Sequence, residues 1–265
     1  MRVVLTAGHD KAPHVRLLVD MLQADGVDIA GVVVVSPFQI RRLRRILRAR
    51  GPAALGGLVR KLLGVSRGHA SARADAVQQA LRAQNLTKLS LKSWAKNAGV
   101  AYRRVKSLND SEAISFLEAH RPDGVIYGGG GILRQPFIEA ANDRVLNAHS
   151  GPLPEIRGMN AAEWSLLFDL PVTVTVHFID VGIDTGASVD SRTVTIDPGD
   201  TIDLIRAKCV MTGVDLLRQN VSALRVGSQA SVHHAADYPQ CYILAPLLRA
   251  VLEARLETVR NRQGV

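Results

Sequence analysis

Apolar and amphipathic stretches alternate along this chain from its first residues onward. Residues 3–7 and 29–36 form nearly unbroken apolar runs, which are typical of strands buried on both faces of a sheet. Between them, apolar positions recur at helical spacing over residues 13–24, and Pro13 suits a first helical turn. A strand, a helix and a second strand in this order predict an α/β fold, with a mostly parallel central sheet flanked by helices.

The same alternation continues toward the end of the chain. It predicts further strands at residues 100–105, 124–127, around Asn147, 172–178 and 188–196. It predicts further helices at residues 111–120, 160–168, 201–224 and 245–260. Within residues 172–178, apolar residues alternate one by one with polar ones, which predicts a strand with a single buried face. The apolar stripe predicted for the last helix consists of Leu247, Leu248, Val251 and Leu256.

The net charge of +9 is concentrated in one segment. Between Ile29 and Ala74 the sequence holds ten Lys and Arg residues and no Asp or Glu. Helices are predicted here, including one over residues 71–98, so residues 37–99 are interpreted as a basic helical insertion. Its dense part, from Arg41 to Arg50, is a candidate contact for phosphate or a nucleotide, while a solvated face and membrane-surface attachment stay open. Because the segment has almost no aromatic residues to stack on bases, no stable nucleic-acid complex is expected.

Hydropathy and cysteine usage indicate a cytoplasmic location. The apolar run after Met1 is too short for a secretory signal, and no run approaches the length of a membrane span. Cys209 and Cys241 do not have the spacing of zinc ligands, so we expect free thiols in a reducing compartment and no metal.

Three residues with hydrogen-bonding or acid–base chemistry follow the apolar runs in the second half of the chain. Asn147 and His149 lie two positions apart, so their side chains leave the same face of a strand. Asp184 lies in a loop between Gly182 and Gly186 that follows the next strand. Sheets of α/β proteins bind ligands at strand ends, so an amide, an imidazole and a carboxylate are expected to meet there.

This stretch resembles the folate-dependent formyltransferase family. The resemblance is carried, in order, by Asn147-Ala148-His149, Leu153-Pro154, Arg157-Gly158 and Ile183-Asp184-Thr185-Gly186. It implies a Rossmann-like formyltransferase catalytic domain over residues 1–230, interrupted by the basic insertion at about 37–99. Residues 231–265 are then expected to form a C-terminal helical extension.

The resemblance also implies roles for individual residues, with 10-formyltetrahydrofolate as co-substrate. The catalytic set is Asn147, His149 and Asp184, and His177 is expected to orient the Asp184 loop. The expected folate contacts are Gly130, Gly131, Ile132, Leu133, Leu146, Asp180, Gly182 and Ile183. The expected substrate contacts are Arg157, Gly158 and His9. Two alternatives stay open: Asn147 and His149 could satisfy backbone groups at a strand end, and Arg157 could form a structural salt bridge.

The predicted function is N-formylation of a primary amine on a small metabolite, expected to be phosphorylated or nucleotide-linked. A 10-formyltetrahydrofolate hydrolase and a catalytically silent polyanion-binding protein are the alternatives, and a homodimer is left open. The turn after the first strand carries Asp10 and one glycine, Gly8, rather than a Gly- and Ser-rich phosphate cradle. We therefore expect that this is not the glycinamide ribonucleotide enzyme of purine synthesis, and that the amine belongs to another metabolite such as a nucleotide-linked amino sugar.

Overall fold

The computed structural model describes residues 1–36, 90–227 and 238–262. The basic helices predicted between residues 37 and 89 lie outside these residues. The strands are β1 (Arg2–Ala7), β2 (Asp28–Val35), β3 (Ala101–Val105), β4 (Gly124–Gly128), β5 (Val145–His149), β6 (Arg157–Gly158), β7 (Thr173–Phe178), β8 (Ser188–Thr193) and β9 (Gln240–Cys241). The helices are α1 (Pro13–Ala24), α2 (Leu91–Ala98), α3 (Ser111–His120), α4 (Gln135–Ala140), α5 (Ala161–Leu167), α6 (Ile202–Gln219), α7 (Ala223–Val226) and α8 (Pro246–Arg262).

A mixed sheet of seven strands forms the centre of the fold, in the order β3-β2-β1-β4-β5-β7-β8. The first five run parallel, because helices return the chain to the same end of the sheet, whereas β7 and β8 are antiparallel to their neighbours. The predicted Rossmann-like architecture, with a mostly parallel sheet between helices, is therefore confirmed. No helix within the described residues combines the length and apolarity needed to cross a bilayer.

Two apolar clusters cover the two faces of this sheet. One contains Leu5, Ile126 and Leu146 together with residues of α1 and α6, and the other contains Val125 and Val145 with residues of α3 and α4. Consecutive side chains of β5 therefore point alternately into different clusters. The ends of β4 and β5 consequently lie between two packed layers, which fixes the position of any side chain at those ends.

The burial predicted for β7 is wrong. Thr175 and His177, assigned to an exposed face, are 2% and 1% exposed, and all six residues of the strand are buried. The reason is that β7 lies between β5 and β8 and that its polar face meets other polar groups, since the Thr175 hydroxyl donates to the Gly151 carbonyl and His177 bonds the Asn147 amide. The polar face of this strand thus points into the protein, toward Asn147 and the carbonyl groups of the neighbouring turn.

Two helix predictions also need correction. The predicted helix over residues 71–98 is not continuous, since Ser90 is extended (φ −66°, ψ 157°) and its side chain caps the new helix α2 by accepting from Ser93 N–H. In α8 three of the four residues predicted for the apolar stripe are exposed, because Leu247 is 75%, Val251 53% and Leu248 39% exposed. The fourth, Leu256, is partly buried against the core as predicted, and Leu252, which the predicted stripe omitted, is 1% exposed.

The segment after residue 237 packs against the loop that follows β5. β9 pairs with β6 in a small two-stranded sheet, and Met159 N–H donates to the Cys241 carbonyl at 2.9 Å. The Trp164 indole donates to the Tyr242 carbonyl at 2.8 Å. Residues 238–244 are therefore in direct contact with the loop, and the predicted boundary at residue 230 lies in a stretch outside the described residues.

Candidate active site

Asn147 and His177 are cross-strand partners at the antiparallel junction of β5 and β7. The His177 Nδ1 atom lies 2.8 Å from the Phe178 carbonyl oxygen, which can only accept, so the ring carries a proton on Nδ1. In the neutral ring Nε2 then accepts from the Asn147 amide nitrogen at 3.0 Å. This bond fixes the rotation of the amide and leaves its second N–H for another acceptor.

His149 uses both ring nitrogens within the site. Its Nε2 donates to the Ile156 carbonyl at 2.8 Å, and its Nδ1 lies 3.3 Å from an Asp184 carboxylate oxygen. The side chain is only 8% exposed. The imidazole therefore connects the turn after β5 with the Asp184 loop, and one of the alternatives drawn from the sequence, a bond to a backbone group, is present alongside the contact with the carboxylate.

Asp184 is held in the left-handed region at φ +52°, a conformation that costs a non-glycine residue roughly 1–3 kcal/mol. Its Oδ2 accepts from the Gly158 N–H at 2.8 Å, and its Oδ1 lies 3.6 Å from His177 Nε2. With His149 at 3.3 Å, the carboxylate has contacts on both oxygens, yet 18% of the side chain stays exposed. A partly exposed carboxylate held in this way can accept a proton from a bound molecule.

The structure thus brings the three predicted catalytic residues together, with His177 between Asn147 and Asp184. An oriented amide N–H next to an imidazole and a carboxylate suits a reaction in which negative charge develops on a carbonyl oxygen while an amine loses a proton. Within the described residues, no group of His, Cys, Asp or Glu side chains is arranged to hold a metal ion.

The loop that carries Asp184 is braced by its own side chains. The Asp180 carboxylate accepts from Gly182 N–H at 3.0 Å and from the Thr185 hydroxyl at 2.6 Å. Asp180 therefore closes the loop, and the Ile183 carbonyl accepts from Arg157 at 3.3 Å. The predicted folate contacts of Asp180, Gly182 and Ile183 stay predictions, but each residue lies on the loop that positions the Asp184 carboxylate.

The glycine turn, residues 128–131, lies at the end of β4, beside β5. Its glycines Gly129, Gly130 and Gly131 have φ values of +110°, +138° and +102°, which side chains rarely permit. A Cβ on Gly131 would meet nothing within 4 Å, and Ile132 is 71% exposed, so the outer part of the turn faces open space. An open, side-chain-free turn suits close approach by a planar ligand.

Two of the predicted folate contacts on this side are buried. Leu146 is completely buried in the core beside Leu5 and Ile126, so its side chain cannot line an open pocket, and we reassign it to the core. Leu133 is 5% exposed and packs in the second cluster. Both are buried because their strand and turn lie between the two helical layers.

Tyr127, at the end of β4, belongs to the site but was not identified from the sequence. The register of β4 and β5 pairs Val125 with Val145, so Tyr127 and Asn147 follow on the same face. The phenol donates to the Gly131 carbonyl at 2.8 Å and accepts from the Gly131 N–H at 3.1 Å, which closes the glycine turn. A tyrosine ending an apolar strand directly before four glycines was the available signal.

The electrostatic environment of Tyr127 links the glycine turn to the catalytic carboxylate. Burial raises the pKa of the phenol above its ordinary value of 10.0, the bond with Gly131 acts in the opposite direction, and the Asp184 charge raises it again. The phenol therefore remains a hydrogen-bond donor at physiological pH.

The three residues predicted to contact the substrate differ in burial and in hydrogen bonding. Arg157 is 7% exposed and donates to the carbonyls of Ile183 and Tyr238, so a structural role fits its position. Gly158 supplies the N–H bound by Asp184, and His9 is exposed after β1. Substrate contact by these residues stays a prediction.

Comparison with known proteins supplies the family context for this geometry. The sequence model of the formyl transferase family matches residues 64–221, which is more than half of the chain. Methionyl-tRNA formyltransferase of Trichlorobacter lovleyi is 30% identical over 171 residues, which is 63% of this chain and 53% of that protein. The chain spans about half the length of the curated relatives it matches.

Solved structures show the same fold. Phosphoribosylglycinamide formyltransferase from Anaplasma phagocytophilum superposes with a TM-score of 0.57 at 16% identity, over 91% of this chain and 99% of that one. A sugar N-formyltransferase from a Shewanella species gives a TM-score of 0.55 at 16% identity, over 97% and 86% of the two chains. At these identities the likeness establishes the architecture and leaves the substrate undefined.

Proposed function

The chain belongs to the formyl transferase family, and on that premise we propose that its site moves the formyl group of 10-formyltetrahydrofolate to a primary amine of a small metabolite. The observation that carries this proposal is the convergence of the Asn147 amide, the His149 imidazole and the Asp184 carboxylate at the ends of β5 and β7. The sequence favours a phosphorylated or nucleotide-linked amine.

In the proposed reaction the amine nitrogen attacks the formyl carbon, and the carbonyl electron pair moves onto its oxygen. The free N–H of Asn147 donates to that oxyanion, a type of contact worth roughly 10²–10³ in rate. Asp184 accepts the proton released by the amine, a role worth roughly 10²–10⁴ in rate. The oxyanion electron pair then re-forms the carbonyl, the bond between the formyl carbon and folate N10 breaks, and N10 receives the proton that Asp184 had accepted.

The contacts of His149 limit what its imidazole can do in this reaction. A direct bond to the oxyanion would require Nε2 to leave the Ile156 carbonyl, or Nδ1 to leave Asp184. We therefore assign the oxyanion bond to Asn147, and we assign to His149 the orientation of Asp184. In its protonated form the ring also places a positive charge beside the site.

The folate is proposed to enter on the side of the glycine turn. The open space at Gly131 and the exposed Ile132 leave room for a planar ring system against the backbone of this turn. Tyr127 holds the turn through its two hydrogen bonds to Gly131, and it lies on the same face of the sheet as Asn147. The formyl group of a folate bound here would then lie toward the catalytic set.

The direct test is incubation of the whole protein with 10-formyltetrahydrofolate and a panel of primary amines. Tetrahydrofolate formation is followed by absorbance, and N-formyl products are identified by mass spectrometry. We expect an amine-dependent N-formyl product that is lost in the Asn147→Ala variant. Formate released without any amine, and equally with it, would instead support the hydrolase alternative, which uses the same site with water as the nucleophile.

The third reading, a silent polyanion-binding protein, is distinguished by salt dependence. Such a protein would bind heparin with an affinity that falls steeply as salt increases, and would show no folate turnover. We expect turnover, because the partly exposed Asp184 carboxylate lies 3.3 Å from His149 and 3.6 Å from His177, beside the oriented amide of Asn147.

A further inference from the structure

A cavity of about 390 Å³ adjoins the catalytic residues on the side of helix α6. Its lining includes His149 and Gly158 from the catalytic site, together with Ala148, Asn160, Glu163 and Arg206. Ala148 points to the face of β5 that packs on α6, whereas Asn147 and Tyr127 are on the opposite face. The walls of the cavity that come from α5 and α6 therefore lie on the side of β5 that Tyr127 does not face, which leaves separate approaches for two substrates that must meet at one carbon.

Glu163, in α5, is a buried acid with no part in the catalytic set. Its side chain is 2% exposed, accepts from the Asn160 amide at 2.9 Å, and forms an ion pair with Arg206. Replacing a buried ion pair by apolar residues is often neutral or stabilising, so stability alone does not explain the pair. Arg206 is 23% exposed and lines the cavity, which means that Glu163 fixes the direction of a guanidinium group that a ligand can reach.

The charges around Arg206 argue against a phosphate at this position. The Arg206 guanidinium also lies 3.8 Å from the Asp203 carboxylate. Asp203 forms a second ion pair with Arg249 at 3.5 Å, and Arg249 forms another with Glu253 at 2.8 Å. Among these five described side chains, three carboxylates face two guanidinium groups, so negative charge exceeds positive charge around Arg206. A dianionic phosphate would meet nearby carboxylates in a partly desolvated space, whereas a hydroxyl, ring or carbonyl oxygen could accept an N–H of Arg206 without that repulsion.

We propose that the cavity holds the amine substrate, and that Glu163 and Arg206 determine its specificity by selecting neutral oxygens of a hydroxylated amine over phosphate at this position. This inference rests on the function proposed above. Arg206 would contact the substrate directly, and Glu163 is a positioning residue that also balances its charge. Any phosphate carried by the substrate would then lie outside this cavity.

The test measures binding without folate, so that it does not depend on formyl transfer. The alanine methyl groups of the whole protein are labelled with ¹³C and titrated with glucosamine or glucosamine 6-phosphate, while the signals of Ala148, Ala161 and Ala162 report on the cavity walls. We expect glucosamine to shift these signals and the 6-phosphate to bind roughly three- to tenfold more weakly. Arg206→Lys should weaken glucosamine binding roughly tenfold.

Two further variants separate specificity from structure. Glu163→Gln keeps the shape but removes one negative charge, so the preference for glucosamine over its 6-phosphate should shrink or reverse; a merely structural Glu163 would not change this preference. Arg192→Lys, which alters an exposed ion pair with Asp215, is the matched control and should leave binding unchanged.

Three results would overturn the proposal. They are no shift of the cavity methyl groups with glucosamine, tighter binding of the 6-phosphate to the unmodified protein, and an unchanged preference in a folded Glu163→Gln variant. Because the comparison of the two probes uses the unmodified protein, it stands even if a variant fails to fold. A failure of the proposed function appears separately, as the absence of any N-formyl product.

Discussion

The two loops beside Asn147 are both held in place, but by different kinds of group. Carboxylates hold the Asp184 loop: Asp180 binds Gly182 and Thr185, and Asp184 binds Gly158 and approaches His149. Neutral groups hold the glycine turn, where Tyr127 binds Gly131 on both its N–H and its carbonyl. The Asp184 loop thus places a carboxylate beside Asn147 and His149, whereas the glycine turn leaves a backbone surface without side chains.

This difference predicts that the Asp184 loop acts on the chemical step and that the glycine turn acts on folate binding in the proposed reaction. A fixed carboxylate acts on the reacting atoms, so changes to the Asp184 loop should lower kcat. A turn without side chains sets the shape of a binding surface, so changes to it should raise the KM for 10-formyltetrahydrofolate and leave kcat nearly unchanged. Variants on the two loops can therefore test the comparison directly.

The largest effects are expected at the catalytic residues. Asn147→Ala should lower kcat roughly 10²–10³-fold through loss of the oxyanion contact. Asp184→Asn should lower it roughly 10²–10⁴-fold through loss of the base. His149→Ala should also lower kcat by orders of magnitude, and the double variants should lose less than the product of the single losses, because these residues act on one transition state.

Steady-state kinetics and thermal unfolding of each variant check this prediction. Asp143→Asn is the matched control, since Asp143 is an exposed aspartate with a similar backbone conformation, φ +57° against +52° for Asp184. The control should keep full activity. Near-normal turnover in any two of the three catalytic variants would remove the basis of the assignment.

The next largest effect is expected at Gly158, which supports Asp184 from the adjoining loop. Gly158 has φ +95°, and a Cβ there would lie 2.2 Å from the Cys241 carbonyl oxygen. Gly158→Ala should therefore displace β9, weaken the 2.8 Å bond to Asp184, reduce kcat and lower the free energy of unfolding by roughly 1–3 kcal/mol.

Gly227→Ala separates strain from catalysis. Gly227 also has a positive φ, +77°, but its nearest neighbour to an added Cβ is the Arg144 side chain at 3.5 Å. Both variants should lower the melting temperature, and only Gly158→Ala should reduce kcat. If both variants reduce kcat in proportion to their loss of stability, the link from Gly158 to Asp184 has no catalytic importance.

Much of the fold followed from the apolar pattern, because that pattern directly reports which segments are buried. Helices α1 and α3 begin and end at the predicted residues, and Pro13 lies in the first turn of α1 as expected. The burial of β7 could not be predicted in the same way. The polar side chains of β7 are buried and form hydrogen bonds inside the protein, so their alternation does not indicate a solvent-exposed face. The Thr175 hydroxyl, for example, donates to the Gly151 carbonyl at 2.9 Å.

The site was predictable where a functional side chain stands at a strand end, and less so where its partners come from distant segments. Asn147 and His149 follow from one strand, but the contact of Glu163 with Arg206 joins residues far apart in sequence. The contribution of residues 238–244 had no sequence signal either, because backbone carbonyls such as that of Cys241 supply several of the contacts.

On the glycine turn, Tyr127→Phe should act mainly on folate binding. The variant removes the hydroxyl that holds Gly131, a loss of about 1 kcal/mol, so the KM for 10-formyltetrahydrofolate should rise roughly fivefold with kcat nearly unchanged. Tyr102→Phe is the matched control, because its phenol donates to Asp10 at 2.9 Å in the turn after β1. An equal change of KM in both variants would contradict a specific role for Tyr127.

The pH dependence sharpens this comparison. Since the pKa of Tyr127 is raised above 10.0, its hydroxyl is fully protonated below the ordinary value, and its bond to the Gly131 carbonyl is lost only as the pH rises through the raised pKa. The ratio of KM between variant and unmodified protein should therefore stay constant over about pH 6–9. A ratio that falls within that range would show that the phenol ionises too early for this role.

A smaller effect is expected from adding one methyl group to the turn. Gly131→Ala places it in open space at φ +102°, whereas Gly26→Ala places it in open space at φ +74°, between α1 and β2. Each should destabilise the protein by roughly 1 kcal/mol. Only Gly131→Ala should raise the KM for 10-formyltetrahydrofolate, roughly two- to threefold; an unchanged KM would place the folate elsewhere.

The smallest effect is expected from the basic segment, which lies in sequence between β2 and α2 and outside the described residues. If its arginines bind a phosphate of the amine substrate, Arg41→Gln, Arg44→Gln and Arg48→Gln together should raise the KM for that substrate and make it less sensitive to salt, because fewer charges remain to be screened. Lys92→Gln, Lys96→Gln and Arg225→Gln together remove the same charge from exposed positions and serve as control. A salt series with identical constants in all three proteins would assign the arginines to a solvated face. Such a result would also leave the cavity beside Arg206 as the place to search for substrate specificity, since the described carboxylates around Arg206 outnumber the guanidinium groups.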